Sequence, residues 1–255
     1  MPRETSKDVE SVFQATAAHK ANAPTARRAG ELEASESPRE VYLSACAQIS
    51  AGISAEGFRY VRSAQQCKRE VAAFAQQISF QSSHNNVAGV HVRLWMHATA
   101  SSKQLQAWRA ARGHSQPVSS HVAGGMVHRL NGTRAMVEWE LADPSDRNAT
   151  IEDAVAFIHT DVLPYFRQFE RPSELIDSLA ESEVGAFDLV PSVEFALCFG
   201  DAVRAQAVLD RFIRERPDLS EAVALAEAEG RPIAPYGPAS YAEAVAFVRR
   251  SYNLH

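Results

Sequence analysis

The sequence predicts an α+β protein, in which an antiparallel sheet of about four to six strands packs with helices and a helical C-terminal segment follows. Between residues 58 and 141, short runs of β-branched and aromatic residues alternate with turn residues, which is typical of strands. From residue 150 onwards, apolar residues recur at helical spacing. We therefore divide the chain into a mobile N-terminal tail (1–37), a sheet domain (38–182) and a helical extension (183–255).

The first 37 residues are poor in apolar side chains, and the first helix follows them. Phe13 is their one aromatic residue, so this segment buries too little apolar surface to offset the entropy of ordering it. Ser37 followed by Pro38 predicts a helix N-terminus. We expect this helix to end by Gly57 and the first strand to be Phe58–Val61.

Alternation of polar and apolar residues predicts the central strands. Residues 64–77 are compatible with helix or strand, whereas Ile78–Gln81 alternate cleanly before turn residues at 82–86. Val90–Ala98 carry the clearest strand pattern in the chain. The two faces of this strand differ, with an apolar set and a polar or aromatic set: Val90, Val92, Leu94 and Met96 against His91, Arg93, Trp95 and His97.

A short helix, a loop and a hairpin are expected to complete the sheet domain. Trp108 lies in the short helix, and residues 113–125 read as a loop because they are rich in Gly, Ser, Pro and His. Met126–Leu130 and Ala135–Leu141 are then the strands of a hairpin that turns at Asn131-Gly132.

The C-terminal part is predicted to be helical. Thr150 and Asp153 form a start that resembles a capping box, and Pro164 is expected to kink this helix or end it early. Further helices are predicted at residues 173–182, 193–199, 202–214, 220–228 and 241–251.

Composition indicates a globular protein of a reducing compartment. The hydrophobic fraction of 45% and the charged fraction of 22% are ordinary for a folded domain. Cys46, Cys67 and Cys198 match no zinc or disulfide spacing. The sequence has neither the apolar core of a signal peptide nor an apolar run of roughly 20 residues. We expect a cytoplasmic protein without metal, cofactor or membrane association.

Charge is divided between the two parts of the chain. Residues 38–150 carry 12 basic and 7 acidic residues, whereas residues 151–255 carry 9 basic and 18 acidic residues. Either these parts attract each other within one fold, or the first part presents a basic face to an acidic partner.

Common catalytic signatures are missing from the sequence. It contains no nucleophile elbow, phosphate-binding loop, zinc-protease motif or dinucleotide fingerprint. Gly124-Gly125 precede a predicted strand, which is the wrong context for a phosphate site at a helix N-terminus. These absences argue against the common enzyme classes and leave an unfamiliar active site open.

The polar face of the strand at 90–98 is the leading candidate for a binding surface. Arg93 and Trp95 are residue types enriched in protein-binding hot spots, and His97 lies beside them on the same face. His91 and His97 are about 20 Å apart along a strand, too far to share one metal ion. The alternative is that a helix covers this face and that Trp95 belongs to the core.

A second candidate is a hydrolase or nuclease site built from loop histidines. His114, His121 and His128 lie around the predicted loop, and Glu138 and Glu140 follow on the predicted hairpin. If the loop folds back, two histidines and a carboxylate could bind a metal ion or act as acid and base.

Nucleic acid is a third possibility, which we do not favour. Arg and Lys in the basic part could bind phosphates, and Tyr60, Trp95 and Trp108 could stack on bases. The sequence shows neither a zinc finger nor an RNA-recognition motif, however, and the whole chain has a net charge of −5.

The chain resembles the bacterial family named domain of unknown function 4304, from about Arg39 to Leu179. The resemblance depends on a series of landmarks along the chain: Gly57-Phe58, Ile78–Ser83 with Asn85 or Asn86, Trp108, Trp139, and Val162–Phe169. It implies an α+β fold with an antiparallel sheet, and it brings no catalytic residues because the role of the family is unassigned. Gln81, Ser83 and Asn86 could either order the strand end or face a ligand.

We therefore expect a non-enzymatic binding module that docks a protein partner, in the manner of regulatory or toxin-neutralising proteins of similar size. The candidate binding residues are Gln81, Ser83, Asn86, Arg93, Trp95, His97 and Trp108.

Overall fold

A capping box begins the first helix at the residue that the sequence indicates. The computed structural model describes residues 36–113, 118–130, 135–182, 186–229 and 240–255, so the predicted tail lies almost entirely outside the described residues. The Ser37 hydroxyl accepts from the Glu40 amide at 3.3 Å, and the Glu40 carboxylate accepts from the Ser37 amide at 3.0 Å. Helix α1 (Pro38–Gly52) ends five residues before Gly57, because a short 3₁₀ turn (Ser54–Glu56) intervenes.

The sheet is antiparallel throughout the described residues, as predicted. Its six strands are β1 (Arg59–Val61), β2 (Gln66–Val71), β3 (Phe74–Ser82), β4 (Arg93–Ser101), β5 (His121–Met126) and β6 (Trp139–Glu140). The order is β1-β2-β3-β4-β5, and β6 pairs with β4 beyond the end of β5. Residues 64–77, which the sequence left compatible with helix or strand, contain β2. Every residue of β2 pairs with a residue of β3.

Strand β4 begins three residues later than the alternation predicts. Val87 and His91 exchange backbone hydrogen bonds of 2.8 and 2.9 Å, and Gly89 has a φ of +67° between them. This tight turn takes Val90 out of the strand and leaves it 57% exposed. The prediction that Val90 lies on the apolar face was therefore wrong.

The predicted pairing of a hairpin between residues 126 and 141 was also wrong, and its predicted turn at Asn131-Gly132 lies outside the described residues. His121–Met126, predicted as part of a loop, form strand β5, and Val127–Arg129 form a 3₁₀ turn. Strands β5 and β6 both pair with β4 instead of with each other. Gly124 permits the first pairing, since a Cβ there would lie 2.3 Å from the Ala98 carbonyl oxygen.

The described chain also contains helices, which include the predicted C-terminal segment. They are α2 (Lys103–Ala110), α3 (Arg147–Phe157), α4 (Leu163–Arg167), α5 (Pro172–Glu181), α6 (Leu189–Phe199), α7 (Ala202–Arg214), α8 (Ser220–Glu229) and α9 (Tyr241–Tyr252). None of these described helices combines the length and apolar character that crossing a membrane requires.

Helix α3 and the segment around Pro164 differ from the prediction in two ways. The helix starts at Arg147, because the Arg147 and Thr150 amides donate to the carbonyl oxygens of Asp143 and Asp146 at 3.0 and 2.9 Å. Thr150 is thus inside the helix instead of capping it. Pro164 does not end the helical segment early, because a π-helical turn (Ile158–Val162) connects α3 to α4, and Pro164 lies in the first turn of α4.

One core joins the sheet to the helices on both sides of residue 182. Phe74 on β3 lies with its ring centroid 5.6 Å from Phe169, 6.1 Å from Phe195 and 5.1 Å from Phe199. Residues 36–255 accordingly form one compact unit. The buried residues of β3 and β4 lie on one side of the sheet, and the residues that alternate with them are partly or fully exposed on the other side.

Candidate functional site

The two faces of strand β4 have different surroundings. Leu94, Met96, Ala98 and Ala100 are 0% exposed, whereas the residues between them, from Arg93 to Ser101, are partly exposed. The same alternation continues across β3 and β2. We call this partly exposed side of the sheet the open face; its main residues are Arg59, Gln66, Lys68, Gln77, Ser79, Gln81, Arg93, Trp95, His97 and Thr99.

Trp95 and Arg93 share one carboxylate at the β4 end of the open face. The Trp95 indole N–H donates to Glu138 Oε2 at 3.2 Å, and Arg93 Nη1 lies 3.6 Å from Glu138 Oε1. Arg93 Nε also lies 3.6 Å from Glu140 Oε2. The tryptophan is therefore held on the open face and is absent from the hydrophobic core cluster.

His97 lies next to Trp95 on the same face and contacts Gln81. Its Nε2 is 3.0 Å from Gln81 Oε1 across the β3–β4 pair. Partial burial, and after it the charge of nearby His128, lower the pKa of His97 below 6.5. This shift favours the neutral imidazole, which on this face acts as a hydrogen-bonding ring towards Gln81.

The Glu140 carboxylate contacts the residues that precede β4. Its carboxylate accepts from the Val92 amide at 2.6 Å and from the Ala142 amide at 3.1 Å, and it contacts His91 Nδ1 at 3.3 Å. Partial burial acts to raise the pKa of Glu140, but these hydrogen bonds outweigh it, and the pKa is lowered. The carboxylate thus has a structural role in ordering the strand start.

Ser83 and Asn86 have partners within the turn between β3 and β4. Asn86 Oδ1 accepts from the Arg93 amide at 3.0 Å, and its Nδ2 donates to Ser82 Oγ at 2.9 Å. Ser83 Oγ accepts from the Asn85 amide at 3.1 Å. The sequence left open whether these side chains order the strand end or face a ligand. These contacts favour the first role.

Trp108 is not part of the Trp95 group. It lies on α2, where its ring centroid is 5.7 Å from that of Tyr252 on α9 and 3.6 Å from the Arg112 guanidinium. The ring also packs against the hydrophobic core. The structure therefore brings together Gln81, Arg93, Trp95 and His97 of the predicted binding residues, and places Trp108 on the helical side.

The loop histidines do not converge on the hairpin carboxylates. His121 begins β5 and His128 lies in the 3₁₀ turn after β5, and the histidine that contacts Glu140 is His91. His114 lies outside the described residues. Among the residues that the structure describes, no three His, Cys, Asp or Glu side chains are grouped as metal ligands.

The opposite end of the open face carries two cations that the sequence reasoning missed. Arg59 on β1 is directly opposite Lys68 on β2, and Gln77 and Thr99 continue the same row across β3 and β4. A groove of about 490 Å³ lies against this row, with Glu70 as its one carboxylate among the described residues. The polar residues Gln66, Lys68 and Glu70 lie at every second position, and this alternation could have predicted strand β2 from the sequence.

A buried ion pair occupies the helical side of the molecule, away from the open face. Arg109 Nε and Nη2 lie 2.7 and 2.6 Å from Glu194 Oε2, and both side chains are at most 3% exposed. Arg109 Nη1 also donates to the carbonyl oxygens of Ser119 and His121, and the Tyr252 hydroxyl donates to Glu194. This network joins α2, β5, α6 and α9, so we assign it to stability.

Comparison with protein-family models, curated proteins and solved structures finds no match for this chain. The resemblance to domain of unknown function 4304 therefore stays a prediction.

Proposed function

We propose that this protein is a non-enzymatic binding module whose open face docks a protein partner. The observation that carries the proposal is the Trp95–Arg93–Glu138 group. It holds a large aromatic ring and a guanidinium on a partly exposed sheet face, while the opposite face of the same strand is completely buried. Tryptophan and arginine are the residue types that contribute most to protein–protein affinity.

The dimensions of the open face support a protein partner. Strands β3 and β4 are nine residues long, which corresponds to about 30 Å, and the five-strand row is about 19 Å wide. This rectangle of about 570 Å² is an upper bound, because β1 and β2 have only three and six residues. It corresponds to part of the roughly 800 Å² that each partner buries in an interface of standard size.

The charges at the Trp95 end of the open face favour protein over nucleic acid. Arg93 already has Glu138 and Glu140 as partners, and the chain has a net charge of −5. A protein that binds nucleic acid neutralises several phosphates with free cations, whereas the aromatic end of this face has a carboxylate at its centre.

The same geometry makes a hydrolase or nuclease the weaker candidate. That function required His121 or His128 to meet Glu138 or Glu140, and these histidines are at the two ends of β5. Glu140 is held by two backbone amides, which stabilise its ionised form and reduce its strength as a general base.

We further propose a regulatory or toxin-neutralising role in the cytoplasm. Support for the role comes from analogy with small binding proteins of this fold class. Support for the location comes from Cys46, Cys67 and Cys198, which are free thiols as a reducing compartment maintains them.

Partner capture by the full-length protein tests the proposal. The wild-type protein, Trp95→Ala and Val203→Ala serve as baits in extracts of the native host; Val203 is a control because it is 79% exposed on α7, off the sheet. We expect a protein that the wild type and Val203→Ala capture and that folded Trp95→Ala does not. Equal capture by all three baits would contradict the proposal.

A further inference from the structure

Arg59 and Lys68 form an unusual pair at the β1 end of the open face. They are directly opposite each other in the antiparallel register, and both side chains project to the side opposite buried Cys67. Like charges in directly opposed positions destabilise a sheet. Within the described residues, neither cation lies within 4.0 Å of a carboxylate, whereas Arg93, the other cation of the open face, lies 3.6 Å from both Glu138 and Glu140.

The surroundings of this pair are concave and positively charged. The groove of about 490 Å³ is lined by Arg59, Lys68 and Arg69, against one carboxylate, that of Glu70. Arg69 is already engaged with Gln76 Oε1 at 2.7 Å and with the Glu56 carbonyl oxygen at 2.8 Å. Arg69 alternates with Lys68 along β2, so its side chain projects to the other side of the sheet with Cys67, and the open-face cations of the groove are Arg59 and Lys68.

We propose that the partner of the open face places acidic side chains in this groove, against Arg59 and Lys68. The inference rests on the proposed function, because it specifies the chemistry of the partner for the same face. Charge complementarity carries it: the Trp95 end has its own carboxylates, Glu138 and Glu140, whereas among the described residues the Arg59 end has two cations against the single carboxylate of Glu70.

The separation of the two ends favours a protein segment over a small anion. Arg59 shares a row with Thr99, which is four residues from Trp95 along β4. Strand spacing and rise place Arg59 and Trp95 about 20 Å apart. A small phosphorylated ligand could occupy the groove alone, but it could not contact both ends, whereas an acidic protein surface can.

A peptide titration of the full-length ¹⁵N-labelled protein tests the inference. The probes are blocked hexaglutamate, hexalysine as the charge control, and inorganic pyrophosphate as the phosphate probe. The variant is Arg59→Gln/Lys68→Gln. Its matched control is Lys103→Gln/Arg214→Gln, which removes the same two residue types from exposed positions on α2 and α7.

We expect hexaglutamate to shift the amide resonances of Arg59, Lys68 and Thr99, with affinity that falls as salt rises. Affinity should fall about tenfold or more in Arg59→Gln/Lys68→Gln and stay within about twofold in the control variant. The inference is overturned if hexaglutamate shifts none of these resonances, or if both double variants lose affinity equally. It is also overturned if pyrophosphate binds the groove and hexaglutamate does not.

The two proposals fail in different experiments. If hexaglutamate does not bind but capture still depends on Trp95, the inference of an acidic partner is wrong, and the proposal that the open face docks a protein is retained. If hexaglutamate binds as expected but capture is independent of Trp95, the docking role of the Trp95 end is wrong.

Discussion

The Trp95 indole N–H and the Glu138 carboxylate form a 3.2 Å hydrogen bond on a solvent-accessible sheet face. Arg93 approaches the same carboxylate at 3.6 Å. This hydrogen bond holds the ring in one orientation. In the proposed docking role, a ring that is already ordered loses less conformational entropy on binding.

Glu138→Ala should cost little stability, whereas Glu140→Ala should cost more. The Arg93 and Glu138 side chains are 42% and 37% exposed, so we expect a loss of at most about 1 kcal/mol in unfolding free energy. Glu140 also accepts from two backbone amides, and its removal should cost about 1–3 kcal/mol. Urea denaturation measures both, and a larger loss for Glu138→Ala would contradict the assignment.

Breaking the buried Arg109–Glu194 pair should be far more costly. Because both side chains are at most 3% exposed, Glu194→Ala leaves a buried guanidinium without its carboxylate and should cost about 3–5 kcal/mol. Tyr252→Phe removes one hydrogen bond to that carboxylate and should cost about 1.5–3 kcal/mol. Unfolding free energies that differ from wild type by only a few tenths of a kcal/mol would show that this network does not stabilise the fold.

Stability should fall on acidification through the pKa of His97. The pKa in the folded state is lowered from 6.5, so the unfolded state binds the proton more tightly. Stability is therefore fully present above 6.5 and is lost as the pH falls toward the lowered pKa. The unfolding free energy of the wild type minus that of His97→Gln should therefore decrease as the pH falls over that window. A difference that grows on acidification would contradict the assigned direction.

Gly124→Ala should disrupt the β4–β5 pairing, and Gly125→Ala is its matched control. Gly124 has a φ of +136°, and a Cβ there would lie 2.3 Å from the Ala98 carbonyl oxygen, whereas nothing lies within 4 Å at Gly125. We expect Gly124→Ala to cost at least about 2 kcal/mol and Gly125→Ala less than about 1 kcal/mol. Thermal unfolding of both variants measures the difference, and equal costs would contradict the close approach of these strands.

Local patterns were sufficient to predict which residues of β4 share a face, but they left open whether a helix covers that face. Arg93, Trp95 and His97 share a face because side chains alternate along any strand, whatever the rest of the chain does. The same pattern failed at Val90, because the alternation continues into a turn that depends on Gly89. Period-two alternation predicts on which face of a strand a residue lies, but it does not predict where the strand begins or ends.

Other features depend on pairing between distant segments and could not be read locally. His121–Met126 have the composition of a loop, and they form a strand because Gly124 lets their backbone approach β4. Trp108 resembles Trp95 in type, but Tyr252 packs against it from the far end of the chain. Arg59 and Lys68 become neighbours only through the register of β1 with β2.

The most direct test of the docking face is calorimetric titration of the captured partner with wild type, Trp95→Ala and Val203→Ala. Truncation of a central interface tryptophan costs at least about 2 kcal/mol, or about thirtyfold in Kd. We expect that loss for Trp95→Ala with its unfolding temperature unchanged, and a Kd within about twofold of wild type for Val203→Ala. An unchanged Kd for folded Trp95→Ala would contradict the account, as would unfolding of that variant, which would place Trp95 in the core.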